Sequence, residues 1–253
     1  LGAYSGRTSC VDPNLQQVPS TRLPFGKECR SLFVADDGKI LVGCDAKSLE
    51  VRCFAHYMAK YDDGDFADVV LRGDIHQANA DMMECDRQTA KNTFFALIYG
   101  ASSRKIAAML DIPMRRASAL VTRLFEERPA MRRLINRVKK QASDYGKLRG
   151  LDGRTLRPRS EHAAVNLLIQ SAGACVSKRA ALNLDFEIIS NRWDDTHIVG
   201  FIHDEMIIET PDHNVKDVCL AAIRAFQQTT SQYNLRCPMD GDAQIGLNWS
   251  EIH

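Results

Sequence analysis

Two sets of residues have the types and spacing to act on a phosphate anion. In DRQTAKNTFFALIYG, Arg87, Lys91, Phe95 and Tyr99 recur every four residues. On an α-helix that step makes one slowly drifting stripe about 18 Å long, cationic at one end and aromatic at the other. Arg87 and Lys91 fall in the first turns, where free backbone N–H groups and the helix dipole already attract an anion. A triphosphate would therefore meet three cooperating attractions. The aromatic end suits a sugar and a base, and His76, upstream in GDIHQANA, could add a phosphate donor. Taken singly, the same residues read as core aromatics and solvated cations. Their joint arrangement is what favours the anion.

The second set is acidic. Asp45 closes the apolar run GKILVGCD, and Asp204 and Glu205 sit in HDE between the β-rich runs HIVGFI and MIIET. A shared sheet could unite these carboxylates despite their separation in sequence. Magnesium takes one or two protein carboxylates and completes its shell with water and substrate phosphate. Two such ions about 3.5–4 Å apart stabilise the attacking and leaving oxygens of an in-line phosphoryl displacement. From spacing alone the alternative stays open: Asp45 as a helix cap and HDE as a polar turn. A third pattern lies in EHAAVNLLIQSAG, where His162, Asn166 and Gln170 recur every four residues on an otherwise apolar helix. Asn and Gln can test the minor-groove N3 and O2 acceptors common to all correct base pairs, although a hydrogen-bonded polar flank is the plainer reading.

The elements that must position these groups are legible in outline. Residues 1 to 30 read as an extended lead-in rich in turns. A buried strand then runs to Asp45, followed by a helix over SLEVRCFAHYMAKY with Ser48 as its N-cap. From about Gly73 to Ala142 the pattern is almost wholly helical, with Asp86 as a cap, Gly100 as a stop and an interruption at Pro129. LDGRTLRPRS reads as a turn-rich basic link, and EHAAVNLLIQSAGACVSKRAALNLDFEII as one long helix. Two short strands joined by a tight hairpin, one more amphipathic helix and a short tail complete the chain.

Composition sets bounds. With 253 residues, 45% of them hydrophobic, the chain can bury a sizeable core as one large domain or two subdomains. Its longest apolar runs are strand-length and far from the roughly 20 residues that span a bilayer, which argues against a membrane partner. Eight cysteines without a CxxC pair fit a reducing, cytoplasmic compartment. The net charge of +1 conceals a balance of +11 over residues 101 to 160 and about −10 elsewhere. That split fits a cationic face toward a polyanion, or more blandly a set of solvated basic helices. The start at Leu1, without a secretory signal, reads as a fragment of a longer chain.

In this order the motifs resemble those of the DNA polymerase I family, family A, and most closely the replicative polymerases of short-tailed bacteriophages. DAKSLEVR at 45 to 52, RQTAKNTFFALIYG at 87 to 100 and IHDE at 202 to 205 carry the resemblance, supported in order by DPNLQQVPS, CRSLF, GDIH, LDGR and GLNWSEIH. It implies an α+β fold: a polymerase palm, an antiparallel sheet with packed helices, over residues 1–72 and 151–253, and helical fingers over 73–150. It implies DNA-templated DNA synthesis by a two-metal mechanism. Asp45, Asp204 and Glu205 form the catalytic set, with Asp45, Asp204 and the Ala46 carbonyl holding two Mg²⁺ ions, for which Mn²⁺ can substitute, and Glu205 in support. Arg87, Lys91 and His76 would meet the triphosphate, Phe95 and Tyr99 the sugar and nascent pair, and Glu50 would exclude a ribose 2′-hydroxyl. Arg30, His162, Asn166, Gln170 and His203 would contact primer and template.

The implied partners are primer-template DNA and dNTPs in a cytoplasm, that of a bacterial host if the chain is phage-encoded. The family's thumb and proofreading exonuclease precede this region, so they are expected in cis or as a separate chain. Two rivals remain: a single-subunit RNA polymerase sharing the palm, disfavoured by Glu50, and a non-catalytic nucleic-acid-binding module, disfavoured by the intact Asp45, Asp204, Arg87 and Lys91.

Overall fold

The computed structural model describes residues 3–252. The chain divides into two compact units, one taking the sequence up to Leu49 and again from Gly173, the other spanning Glu50–Ala172.

In chain order the elements are α1 (Gly26–Ser31), β1 (Lys39–Ala46), α2 (Leu49–Asp62), α3 (Asp65–Arg72), α4 (Ile75–Met83), α5 (Arg87–Ile98), α6 (Ser103–Leu110), α7 (Met114–Glu127) and α8 (Pro129–Tyr145). There follow β2 (Leu148–Arg149), β3 (Thr155–Leu156), α9 (Ala164–Ser190), β4 (His197–Ile202), β5 (Glu205–Pro211), α10 (Val215–Gln232) and β6 (Gly241–Gly246). The α+β expectation holds, and no helix among the described residues is long and apolar enough to cross a membrane.

The first unit is built on an antiparallel sheet of order β4-β5-β1-β6. Strand β1 is central, and its alternation assigns the two faces. Val42 and Cys44, with Met206 and Ile208 of β5, are wholly buried. They lie on the face covered by α10, whose Val218, Ala221, Ala222, Ala225 and Phe226 are equally buried. Each large aliphatic side chain buried this way contributes about 1.5–3 kcal/mol. Burial, with Asp45 a smaller contributor, pushes the Cys44 thiol up to about 12, so it packs as a neutral hydrophobe. On the opposite face Leu41 and Ile207 form a core with Trp249 and Ile252 from the chain's end. This cover stops short of Asp45, which is exposed.

The second unit is helical. Phe54, Phe66 and Phe94 are all but completely buried and pack with ring centroids 5.8 to 6.0 Å apart. The Arg128 guanidinium lies 5.0 Å from the Phe66 ring centre, and its Nε donates to Asn79 Oδ1 at 3.0 Å. That contact gives a buried cation both a π-face and an acceptor.

Three local expectations are corrected. Ser48 takes a left-handed φ of 50° instead of the extended backbone of a capping serine. The chain must turn sharply between β1 and α2, and that turn sets the conformation. LDGRTLRPRS is not merely a link: it supplies the turn and the second strand of the β2–β3 hairpin, closed by Gly150 N–H donating to the Arg154 carbonyl at 2.8 Å and by an Asp152–Arg154 ion pair at 2.7 Å. The tail holds a full edge strand, β6, hidden in the sequence because GDAQIG is poor in β-branched and aromatic residues.

Candidate active site

The acidic site grows out of strand register. Antiparallel pairing sets Asp45 opposite Glu205 of β5 on one side and opposite Asp242 of β6 on the other. Three carboxylates thus form a row across three strands and line one cavity of about 190 Å³ together with Gly43, Lys47 and Ser48. Like charges directly opposite one another are destabilising. Lys47, which lines the same cavity, is engaged at 3.1 Å by Asp240. Asp204 does not line this cavity. It follows His203 (φ 59°) in the two-residue turn that joins β4 to β5, whose closing pair is Ile202 with Glu205.

Glu205 is 4% exposed. Room for it comes from Gly43: a Cβ there would lie 3.0 Å from Glu205 Oε1 and 2.9 Å from both the Cβ and the carbonyl oxygen of Ile252. Gly43→Ala is therefore expected to destabilise the first unit by about 1–3 kcal/mol. Thermal melting would read that loss, and primer extension would read the displacement of Glu205.

The donors are hard oxygens, as Mg²⁺ requires, but among the described residues no three His, Cys, Asp or Glu side chains form a group that could hold a metal. A partial ligand set fits an ion that keeps water and substrate phosphate in its shell. A second cavity, about 240 Å³ and lined by Phe33, Val34, Leu41, Val199 and Trp249, is apolar apart from Glu209 and holds none of the expected site residues.

Helix α5 sorts its residues by face. Ala90, Thr93, Phe94, Leu97 and Ile98 are buried, whereas Arg87, Lys91, Phe95 and Tyr99 remain wholly or partly accessible. The stripe predicted from spacing is thus the open face of the helix, and its neighbour Phe94 belongs to the core. Asp86 caps α5 by accepting from Thr89 N at 2.9 Å. Arg87 Nε donates to Asp74 Oδ2 at 2.7 Å. The His76 ring lies 5.5 Å from Phe95, which lies 5.9 Å from Tyr99. Burial, reinforced by Lys91, lowers the pKa of His76, so the imidazole is neutral at pH 7 and keeps one N–H to donate. Tyr99 Oη donates to Glu50 Oε2, joining the aromatic end of the stripe to the carboxylate expected beside the sugar.

The remaining expected contacts are less uniform. His162 is not on α9, which begins at Ala164. A turn anchored on Ser160 precedes the helix, and His162 is exposed in it. The polar stripe therefore starts at Asn166, whose Oδ1 is buried without a hydrogen-bond partner, and continues at the half-buried Gln170. The His162 carbonyl abuts Gly100, whose added Cβ would fall 1.9 Å from that oxygen. Arg30 is 6% exposed, with its guanidinium 4.3 Å from the Trp249 ring centre and its Nε donating to the Pro19 carbonyl at 2.9 Å. Its Nη1 is buried with no hydrogen-bond partner. His203 is exposed on the hairpin turn. Sequence reasoning missed Asp242, since the only signal was an acid in a segment not recognised as a strand. It also missed Asp74, present in GDIH but given no role.

The sequence model of DNA polymerase family A matches residues 1–251. The chain belongs to DNA polymerase family A. It is 32% identical to the DNA-directed DNA polymerase of Enterobacteria phage T3 and 31% identical to that of Escherichia phage T7, each time over all of this chain and 40% of the relative. It spans about two fifths of the length of these curated relatives. The polymerase domain of Pol1 from M. smegmatis, solved in complex with DNA primer-template and dNTP, superposes with a TM-score of 0.89 over 99% of this chain and 47% of that one, at 24% identity. That likeness establishes the fold.

Proposed function

We propose that the chain is the catalytic palm and fingers of a DNA-templated DNA polymerase acting in the cytoplasm. In this reading the segments 1–72 and 151–253 are palm and 73–150 fingers, and the parent's thumb and exonuclease are supplied in cis or by a separate chain. The observation that carries the reading is the open face of α5, where Arg87 and Lys91 precede Phe95 and Tyr99 while the opposite face is core.

The reaction is attack of a primer 3′-hydroxyl on the α-phosphate of a dNTP, with pyrophosphate leaving. Asp45, Asp204 and the Ala46 carbonyl would hold two Mg²⁺ ions, or Mn²⁺ in their place, which when bound supply charge stabilisation at the phosphate oxygens. Glu205, and by its place in the carboxylate row Asp242, would support that site. Arg87, Lys91 and neutral His76 would orient the triphosphate, and Phe95 and Tyr99 would flank sugar and nascent pair. Glu50, held by Tyr99, would occupy the space a 2′-hydroxyl needs. Asn166, Gln170, Arg30, His162 and His203 would contact primer and template, the orphaned Asn166 Oδ1 and Arg30 Nη1 being polar atoms in need of a partner. Positioning and electrostatics suffice for such chemistry.

Primer extension with the purified chain, Mg²⁺ and dNTPs, alone and with added thumb and exonuclease segments, tests the proposal. In the active assembly, Arg87→Ala or Lys91→Ala should raise the KM for dNTP by roughly 10- to 150-fold, the worth of one charge-assisted hydrogen bond. Affinity for primer-template should barely move. Collapse of DNA binding with unchanged nucleotide kinetics would instead turn the stripe toward the duplex.

A further inference from the structure

We propose that Asp74 is a positioning residue that sets Arg87 and His76 as one phosphate-binding pair. The proposal rests on the nucleotide reading of α5. Both oxygens of this single carboxylate are in use. Oδ1 accepts from the backbone N–H groups of His76 at 2.9 Å and Gln77 at 3.1 Å, capping α4 and fixing the turn that carries the His76 ring. Oδ2 accepts from Arg87 Nε at 2.7 Å. The hydrogen bond from Arg87 keeps the Asp74 carboxyl below its usual range, so the pair is ionised at neutral pH.

The geometry is selective in what it leaves available. Anchoring a guanidinium through Nε fixes its plane while both terminal amines keep donors in the planar fork that matches phosphate oxygens. Stability does not explain the contact, because the two side chains are 48% and 43% exposed and such pairs contribute little to folding. Orientation does: an arginine already held in one arrangement loses less rotamer freedom on meeting the triphosphate.

The opposing effect is repulsion between Asp74 and the anionic ligand. It is weakened at source, since Arg87 neutralises one oxygen and the first N–H groups of α4 engage the other. Ordering should therefore outweigh repulsion, and the two effects have opposite signs in an experiment.

Asp74→Asn separates them, because asparagine caps a helix as well as aspartate but leaves Arg87 without an anion. Calorimetric binding of dGTP with Mg²⁺, and of inorganic tripolyphosphate, should weaken by up to roughly 5-fold, the full worth of an exposed ion pair. Asp74→Ser, another capping residue, should behave alike. In an Arg87→Ala background Asp74→Asn should add nothing. In primer extension the loss should fall on KM for dNTP and not on kcat. Unchanged or tighter binding in Asp74→Asn, with Arg87→Ala still weakened, would overturn the proposal and leave the nucleotide reading standing. Unchanged binding in Arg87→Ala itself would remove both.

Discussion

Replacing Asp45 with asparagine is expected to abolish primer extension by the active assembly, by roughly 10³-fold or more, while leaving the protein as stable as before or slightly more so. The first half follows from the proposed metal role, since losing a metal ligand forfeits several kcal/mol of transition-state charge stabilisation. The second half follows from the sheet. Asp45 faces Glu205 and Asp242 on its two neighbouring strands, so removing the central charge relieves repulsion on both sides. Primer-template affinity should change little, because phosphate contacts elsewhere dominate it. Extension assays, thermal melting and DNA titration together distinguish this outcome from a folding defect, which would lower all three. Asp204→Asn should be as damaging to extension. Near-normal rates in either variant would end the two-metal assignment, and a lowered melting temperature in Asp45→Asn would mean that this carboxylate is structural.

Gly100→Ala is expected to be the most destabilising single-methyl change near the α5 stripe. Two penalties coincide there. The backbone sits at φ +82°, where a side chain costs about 1–2 kcal/mol, and the new Cβ would lie 1.9 Å from the His162 carbonyl oxygen. A backbone carbonyl cannot rotate away as a flexible side chain can, so the clash adds about 1–3 kcal/mol typical of overpacking. The two segments that must part carry the C-terminus of α5 and the turn before α9, so the loss should appear both in denaturant unfolding and in nucleotide affinity. Gly146→Ala is the matched control: its φ of +63° carries comparable strain, but nothing lies within 4 Å of its added Cβ. If the two variants unfold alike, the contact with His162 contributes nothing and strain alone accounts for the cost.

Gly100 shows why some features are open to sequence reasoning and others are not: its role as a helix stop is local, whereas its contact with the His162 carbonyl is not. Helix limits depend on signals a few residues apart, so the Asp86 cap, the stop at Gly100 and the break at Pro129 could be read directly, and α5 and α8 begin or end at them. The four-residue stripe was equally local, and its accessible face matches the side of α5 left uncovered. The hairpin around His203 and Asp204 was visible because two β-rich runs flank a polar pair. His162 was misplaced because spacing cannot tell the last residues of a turn from the first of a helix.

Residue type and short-range periodicity dictate charge, donors and helix faces, so the residues able to bind phosphate and cations could be picked out along the chain. Which of them share a surface depends on the folded chain. Register across β5, β1 and β6 draws Asp242 into line with Asp45 and Glu205, although 196 residues separate Asp45 from its partner Asp242. The meeting of the α4 cap with the start of α5 likewise gives Asp74 two tasks that GDIH does not announce. Strand pairing and helix packing arise from burial of apolar area, which is non-directional along the chain and indifferent to sequence distance. Neighbours of this kind are set by the whole core and not by any motif within it.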